Sequence, residues 1–357
     1  MRYFTGIEEL AKRRVTIQKP TEDNPNPGII SLKALDDIPR GDIILNDFQR
    51  RLSYSFRMSC KAHVEEHPKN TDGQRYNAFI SGQGFHASAW CDVVPRHSTF
   101  VMDNDAFAGA IRRRIQISEP HIYNGLRCTC TNQTSFDRLG YHAQLCSHLG
   151  APRITTHNQI QHEWMKLCRS AKYKVRSEVL SFKQNVQTGF DYTRSDIVIE
   201  NPIHLCHDHD NCKLVLDVVI TNASKAPYNK IKVQGEEAEN AAKGKSDKLA
   251  FKCTEHGYKF SPISFETQGQ WSKDTKCLFK SIISQISSDT HARTQSATYW
   301  IRKISITLQT FVSYHISKSI HSVNPLLHDA HTHDHTTIYS YANATDHLSN
   351  SHSSSMP

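Results

Sequence analysis

No run of apolar residues among the 357 positions is long enough to cross a bilayer, so no membrane-spanning helix is expected. No secretory leader is expected either, because the opening residues, MRYFTGIEELAKRRV, carry too many charges for one. Apolar residues are scarce overall, at 38%, so part of the chain is expected to stay outside any core. Without a leader, the 10 Cys are expected in a reducing compartment, where clustered thiols hold metals more often than they pair as disulfides. Neither sign of charge dominates: 43 Lys+Arg against 35 Asp+Glu give a formal +8.

The small positive excess is concentrated. Between Pro120 and Leu180 there are eight Lys/Arg and three Asp/Glu, so +5 of the +8 falls in one stretch. A local field of this sign suits a phosphate backbone, and a solvated helix face accounts for it as well.

Residues 1–42 contain the Pro/Asn-rich KPTEDNPNPG, show little periodicity, and read as disordered or linker. Residues 43–118 read as a helical region. Ile44, Phe48, Leu52 and Phe56 recur at helical spacing, and Asp103 or Asn104 suits the N-cap of a later helix. A Cys- and His-dense segment (127–148) precedes a helix predicted from about Thr156 to Ala171. Strands are predicted at 174–182, 194–200 and 213–221, then a helix ending at Gly257 and a strand in KFSPISFE. One or two helices follow over 278–322, broken near Ser288. That order indicates an α/β unit. The tail from about His321 (residues 323–357 above all) is rich in His, Ser, Thr and Asn and has too few apolar residues to fold alone.

Two constellations carry chemistry. In RCTCTNQTSFDRLGYHAQLC, the residues Cys128, Cys130, His142 and Cys146 follow a C-x-C-x11-H-x3-C spacing. Three thiolates and an imidazole form the closed tetrahedral set that holds structural zinc. His148 is an alternative nitrogen ligand, and a loop of free thiols is the alternative to a metal site. The second constellation is a pair of carboxylates in β-branched runs. KLVLDVVITNA (213–223) puts Asp217 inside a buried strand, and RSDIVIEN puts Asp196 at the head of another. A carboxylate inside such a strand is costly unless it neutralises, pairs or binds a cation. If the strands are neighbours, both groups can converge at one edge, as in sites that hold Mg²⁺ by one or two carboxylates. Glu178 is a candidate third carboxylate, and a structural ion pair explains the same pattern. A third cluster, HLCHDHDNC (Cys206, His207, His209, Cys212), reads as a polar hairpin insertion, with a second zinc site as the alternative.

Block after block, RCTC…FDRLGYHAQLC…RITTHNQI…VRSEVL…RSDIVIENP…LVLDVVITNA…KGKSDKLA…FSPISFETQGQW resembles the C-terminal region of non-LTR retrotransposon polyproteins. The resemblance runs from about Gly84 to Trp271, and less clearly to about Ile320. In those elements a reverse transcriptase is followed by a CCHC zinc motif and a restriction-like endonuclease of the PD-(D/E)xK superfamily. The resemblance implies an α/β fold with a zinc motif at 119–155 and a restriction-endonuclease-like core at 156–271. That core is a helix, a mixed sheet of about four strands and a second helix, with C-terminal helices following at 272–322.

It also implies a site. Asp196 matches the Asp of the family's R-P-D, and Asp217 the acidic residue of the next strand. Val219 stands where the superfamily has Lys; in the retroelement branch that lysine has moved to the following helix, in a K-x-x-K-Y pattern. Lys245 and Lys248 fit the pattern, with Leu249 for its Tyr. The expected catalytic set is therefore Asp196, Asp217, Lys245 and Glu178, with Mg²⁺ or Mn²⁺ as catalytic metal and Zn²⁺ as structural metal. Arg153, His157, Arg176 and Lys248 are the expected nucleic-acid contacts. DNA and the element's RNA are the expected partners, and the expected location is nuclear. The reverse transcriptase of the same element, with its Tyr-Ala-Asp-Asp type motif, is absent from this chain. Ser195 replaces the proline before the catalytic Asp, and Asn158 replaces an Asp beside His157. Two functions fit: a metal-dependent endonuclease that nicks target DNA to prime reverse transcription, or a nucleic-acid-binding remnant with an inactive nuclease centre.

Overall fold

The computed structural model describes residues 16–17, 30–31 and 73–323, except 96, 117, 120–121, 123–124, 183–192, 203–204, 206–211 and 225–232. Most of the expected linker, the periodicity around Phe48, Cys206, His207 and His209 of the third cluster, and the His-rich tail beyond residue 323 lie outside the described residues. Within the linker span only β1 (Thr16–Ile17) and β2 (Ile30–Ser31) are described, as an antiparallel pair.

The β-branched runs form one four-stranded sheet in the order β3 (Lys174–Phe182), β4 (Thr193–Glu200), β5 (Lys213–Thr221), β6 (Tyr258–Glu266). The β3–β4 and β4–β5 pairs are antiparallel, whereas β5 and β6 are parallel. A parallel pair needs a crossover rather than a hairpin, and the Ala-rich segment supplies it as helix α6 (Glu236–Glu255).

Alternation along the strands sorts side chains to two faces. Ile197, Ile199, Leu214, Leu216, Val218, Ile263 and Phe265 face one way, into the main core. Helix α5 (Gly150–Ser170) closes that face because Ile160, Trp164, Leu167 and Cys168 recur every three or four residues and are fully buried. On the other face Val198 and Val215 meet Cys253 of α6. The described protein is therefore a mixed α/β structure, its sheet flanked by helices. No helix among the described residues is long and apolar enough to cross a membrane.

Shorter helices precede the sheet: α1 (Gly73–Ser81), α2 (Phe85–Ser88), α3 (Asn104–Ile115) and α4 (Tyr141–Leu145). After it come α7 (Lys273–Ile286) and α8 (Thr290–His321), broken at 287–289 as the sequence predicts. The starts of α3, α7 and α8 are marked by capping side chains: Asp103 accepts from Ala106 N, Ser272 from Thr275 N and Asp289 from Ala292 N. The 32-residue α8 is the spine that joins the regions. Its Gln309 takes two hydrogen bonds from buried Arg113 of α3, and its Phe311 carbonyl accepts from Thr156 of α5.

Some boundaries differ from expectation, among them the start of α7, at Lys273 and not near 278. Helix α5 starts at Gly150, inside the span assigned to the zinc motif, and no side chain caps that start. The zinc segment is also not a separate unit: Leu126, Phe136, Ala143 and Leu149 join the same core as the sheet and Ile316 and Ile320 of α8.

His315 of α8 lies beneath that segment, hydrogen-bonded to the Ala143 backbone, and its Nε2 has no partner among the described residues. Burial, followed by the charge of Arg153, pushes its pKa from 6.5 down to about 4. Across this window the folded state binds fewer protons than the unfolded chain, so stability present above the unfolded pKa is lost as pH falls. Between about pH 7 and pH 5, urea unfolding is expected to show a loss of roughly 2 kcal/mol from this residue. His315→Gln should remove that part of the dependence, and identical pH slopes in the two proteins would contradict the account.

Candidate metal centre and candidate active site

The Cys/His segment folds into a knot. Cys128 and Cys130 sit on a tight turn in which Cys128 N donates to Thr134 O (2.9 Å) and Gln133 N to Cys130 O (2.8 Å). His142 lies in α4 and Cys146 at its end, and Asp137 organises its first turn. Its Oδ1 accepts from Tyr141 N (2.9 Å), and its Oδ2 from His142 N (2.7 Å).

The four ligand atoms lie within 4.8 Å of one another. Cys128 Sγ is 3.7 Å from Cys146 Sγ, and Cys130 Sγ is 3.8 Å from His142 Nε2. Tetrahedral zinc, with bonds of about 2.3 Å to sulfur and 2.0 Å to nitrogen, has S···S edges of roughly 3.8 Å and S···N edges of roughly 3.6 Å. A disulfide needs about 2.05 Å. The four residues therefore fit a metal such as zinc and do not form a disulfide. His148 is exposed and outside the set, so the imidazole of the candidate set is that of His142. The Thr134 backbone hydrogen bond pulls the Cys130 thiol down to about 7, whereas burial pushes Cys128 up to about 11. A bound cation would have to deprotonate the latter.

The second site lies where two strands part. β4 and β5 pair from Glu200↔Lys213 to Ile197↔Leu216 and no further. Beyond that point Asp196 Oδ2 accepts the Val218 N–H (2.7 Å), in place of the carbonyl a continued ladder would supply. The strands splay there, and a cleft of about 530 Å³ opens. Arg153, His157 and Gln161 of α5, Asp196 of β4, Val219 of β5 and Lys245 of α6 are among its lining residues.

Asp217 projects toward α6, on the same face as Val215, and is 5% exposed. Lys245 Nζ stands 2.5 Å from its Oδ2. The contact is an ion pair at hydrogen-bonding distance. Burial raises the Asp217 pKa, Lys245 draws it back, Asp196 raises it again, and the net shift is upward. For His157, burial lowers the pKa, but the hydrogen bond and charge of Asp196 outweigh it and the net shift is upward.

His157 has partners on both ring nitrogens. Its Nε2 faces Asp196 Oδ2 (3.0 Å) and the Val218 carbonyl (3.1 Å), and its Nδ1 faces Asn158 Oδ1 (3.2 Å). Of the expected site residues, Arg153, His157, Asp196 and Lys245 share the cleft, and Asp217 is joined to it through Lys245. Lys248 is exposed one turn further along α6. Arg176 is elsewhere: it ion-pairs with Glu200, which also holds Lys174 (2.8 Å). Glu178 lies on β3, and its side chain is outside the described residues.

Two functional-looking contacts escaped the sequence reading. Gln161 Nε2 donates to the Asp196 carbonyl (2.5 Å), and Asn222 Nδ2 donates to Gln144 Oε1 (2.9 Å), tying the end of β5 to the zinc-type knot. Gln161 had a signal, since positions 153, 157 and 161 form one stripe at four-residue spacing on a helix. The Asn222–Gln144 pair, 78 positions apart, had none. No family model fits the chain, and no curated protein is significantly similar to it.

Proposed function

We propose that this chain is a metal-dependent DNA endonuclease with a structural zinc knot, of the kind non-LTR retroelements use to nick target DNA and prime reverse transcription. The observation that carries this reading is the meeting of Asp196, Asp217 and Lys245 where β4 and β5 part. Two carboxylates and an ammonium at one cleft are the groups that phosphodiester hydrolysis needs. The element order supports a restriction-endonuclease-like core: α5, three antiparallel strands, α6, and a strand parallel to β5. Asp196 Oδ1 has no hydrogen bond among the described residues, which leaves it open to a hard cation.

Asp196 and Asp217 are the residues that would hold Mg²⁺ or Mn²⁺, which would supply a water of lowered pKa and offset charge on the phosphodiester. Lys245 stabilises the charge that develops on the phosphate, and Arg153 on the cleft wall contributes to holding the backbone. The reverse transcriptase, the element's RNA and a nuclear setting belong to the same reading.

The alternative is a binding module without activity. One observation favours it: Lys245 already neutralises Asp217, so the carboxylate has a structural use without a metal. The full chain on supercoiled plasmid with Mg²⁺ or Mn²⁺ separates the two. Nicked circles are the expected product, and binding without cutting in any divalent metal would leave only the binding module.

A further inference from the structure

We infer that His157, with Gln161 one turn later, is a positioning residue that fixes Asp196 so that its free oxygen faces a divalent cation; this rests on the endonuclease reading. Asp196 sits just beyond the last β4–β5 pair, where the ladder no longer holds it. Three donors replace the ladder. Val218 N (2.7 Å) and His157 Nε2 (3.0 Å) both reach Oδ2, and Gln161 Nε2 reaches the backbone carbonyl at 2.5 Å. Side chain and main chain are thus gripped separately, and only Oδ1 is left without a hydrogen bond among the described residues. The ring that does the gripping is itself held, by the Val218 carbonyl and by Asn158 Oδ1.

His157 acts through Asp196 rather than as a third ligand. Its Nε2 is turned to Asp196 and the Val218 carbonyl. The Cys/His knot is the one group of three or more potential ligands found close together among the described residues. A carboxylate whose rotamer is already fixed loses less freedom on binding a cation, and removing such an outer partner typically costs about 10- to 100-fold in metal affinity or activity.

The test is Mn²⁺ binding to the zinc-loaded full chain without DNA, read as loss of the free-ion electron paramagnetic resonance signal. Mn²⁺ does not displace zinc from a thiolate site, so the readout reports the cleft. The parent is expected to bind Mn²⁺, and His157→Leu to bind it about 10- to 100-fold more weakly with an unchanged far-ultraviolet spectrum. His157→Gln, which keeps an N–H at similar reach, should recover most of the affinity. A purely structural role would not produce that rescue. Should the Leu variant not fold, His157→Asn takes its place, since its shorter amide cannot reach Asp196. Equal affinity in parent and Leu (or Asn) variant, or a Gln variant as weak as either, overturns the positioning role alone. A parent that binds no Mn²⁺ overturns the endonuclease reading along with it.

Discussion

Removal of metal from the Cys128/Cys130/His142/Cys146 knot is expected to destabilise the whole described protein and not one loop. The reason is shared burial: Cys128, Cys146, Leu126, Phe136 and Ala143 lie in the same core as the sheet and α8. The knot is also bonded outward, through Gln144 to Asn222 after β5 and through the Ala143 backbone to His315. Purified full-length chain should carry about one equivalent of zinc, and Cys128→Ser or Cys146→Ser should lose it. Zinc supplies about 10–16 kcal/mol to isolated finger peptides, in which little else holds the fold. Here the apolar core shares the task, so a loss of roughly 3–5 kcal/mol on substitution is expected. Denaturant unfolding with elemental analysis checks both numbers. Folded protein that contains no zinc, with a stability that chelator leaves unchanged, would refute the metal assignment.

Asp217→Asn is expected to abolish nicking and Lys245→Ala to slow it, while the two move stability in opposite directions. Asp217 is almost fully buried, and the cost of that burial exceeds what Lys245 returns, so its pKa is raised. A raised carboxylate pKa means that the ionised form is a net cost to the fold, greatest at a pH above the folded pKa. Asn removes the charge at nearly constant volume, so Asp217→Asn should melt at the same temperature as the parent or higher. Lys245→Ala does the reverse: it leaves a buried carboxylate facing Asp196 without its cation. A fully buried pair broken this way costs about 3–5 kcal/mol; Lys245 is one-third exposed, so roughly 1–2 kcal/mol is expected. Its loss should also cut the nicking rate by about 10²–10³-fold if it stabilises transition-state charge. Thermal melts of metal-free protein give the stabilities. Equal destabilisation by both substitutions would mark the pair as a structural ion pair.

The sheet was legible because its strands are short β-branched runs separated by polar segments. The predictions at 174–182 and 213–221 coincide with β3 and β5, and 194–200 misses β4 by one residue. The break between α7 and α8 was legible from the polar residues around Ser288. The start of α5 was not, because Leu149 offers no capping side chain and Pro152 reads as a breaker, although a first-turn proline costs a helix little. The ligand set of the knot was legible from spacing, but the choice of His142 over His148 needed the turn that Asp137 organises. Asp196, Asp217 and Lys245 could be placed on their elements from sequence. The contact made just beyond the last β4–β5 pair could not, because it joins Asp196 to a backbone N–H 22 positions away. Arg176 shows the limit from the other side: its charge suggested phosphate contact, and its position on β3 pairs it with Glu200 instead.

The most direct test of the account is plasmid nicking by the parent beside Asp196→Asn and Asp217→Asn, at equal DNA occupancy, with Mg²⁺ and with Mn²⁺. DNA affinity should be nearly the same in all three and fall with salt, because Lys and Arg contacts to phosphate dominate it. The account predicts nicked circles from the parent alone, and none from either variant above the no-enzyme background. Cleavage by both variants at the parental rate would contradict it.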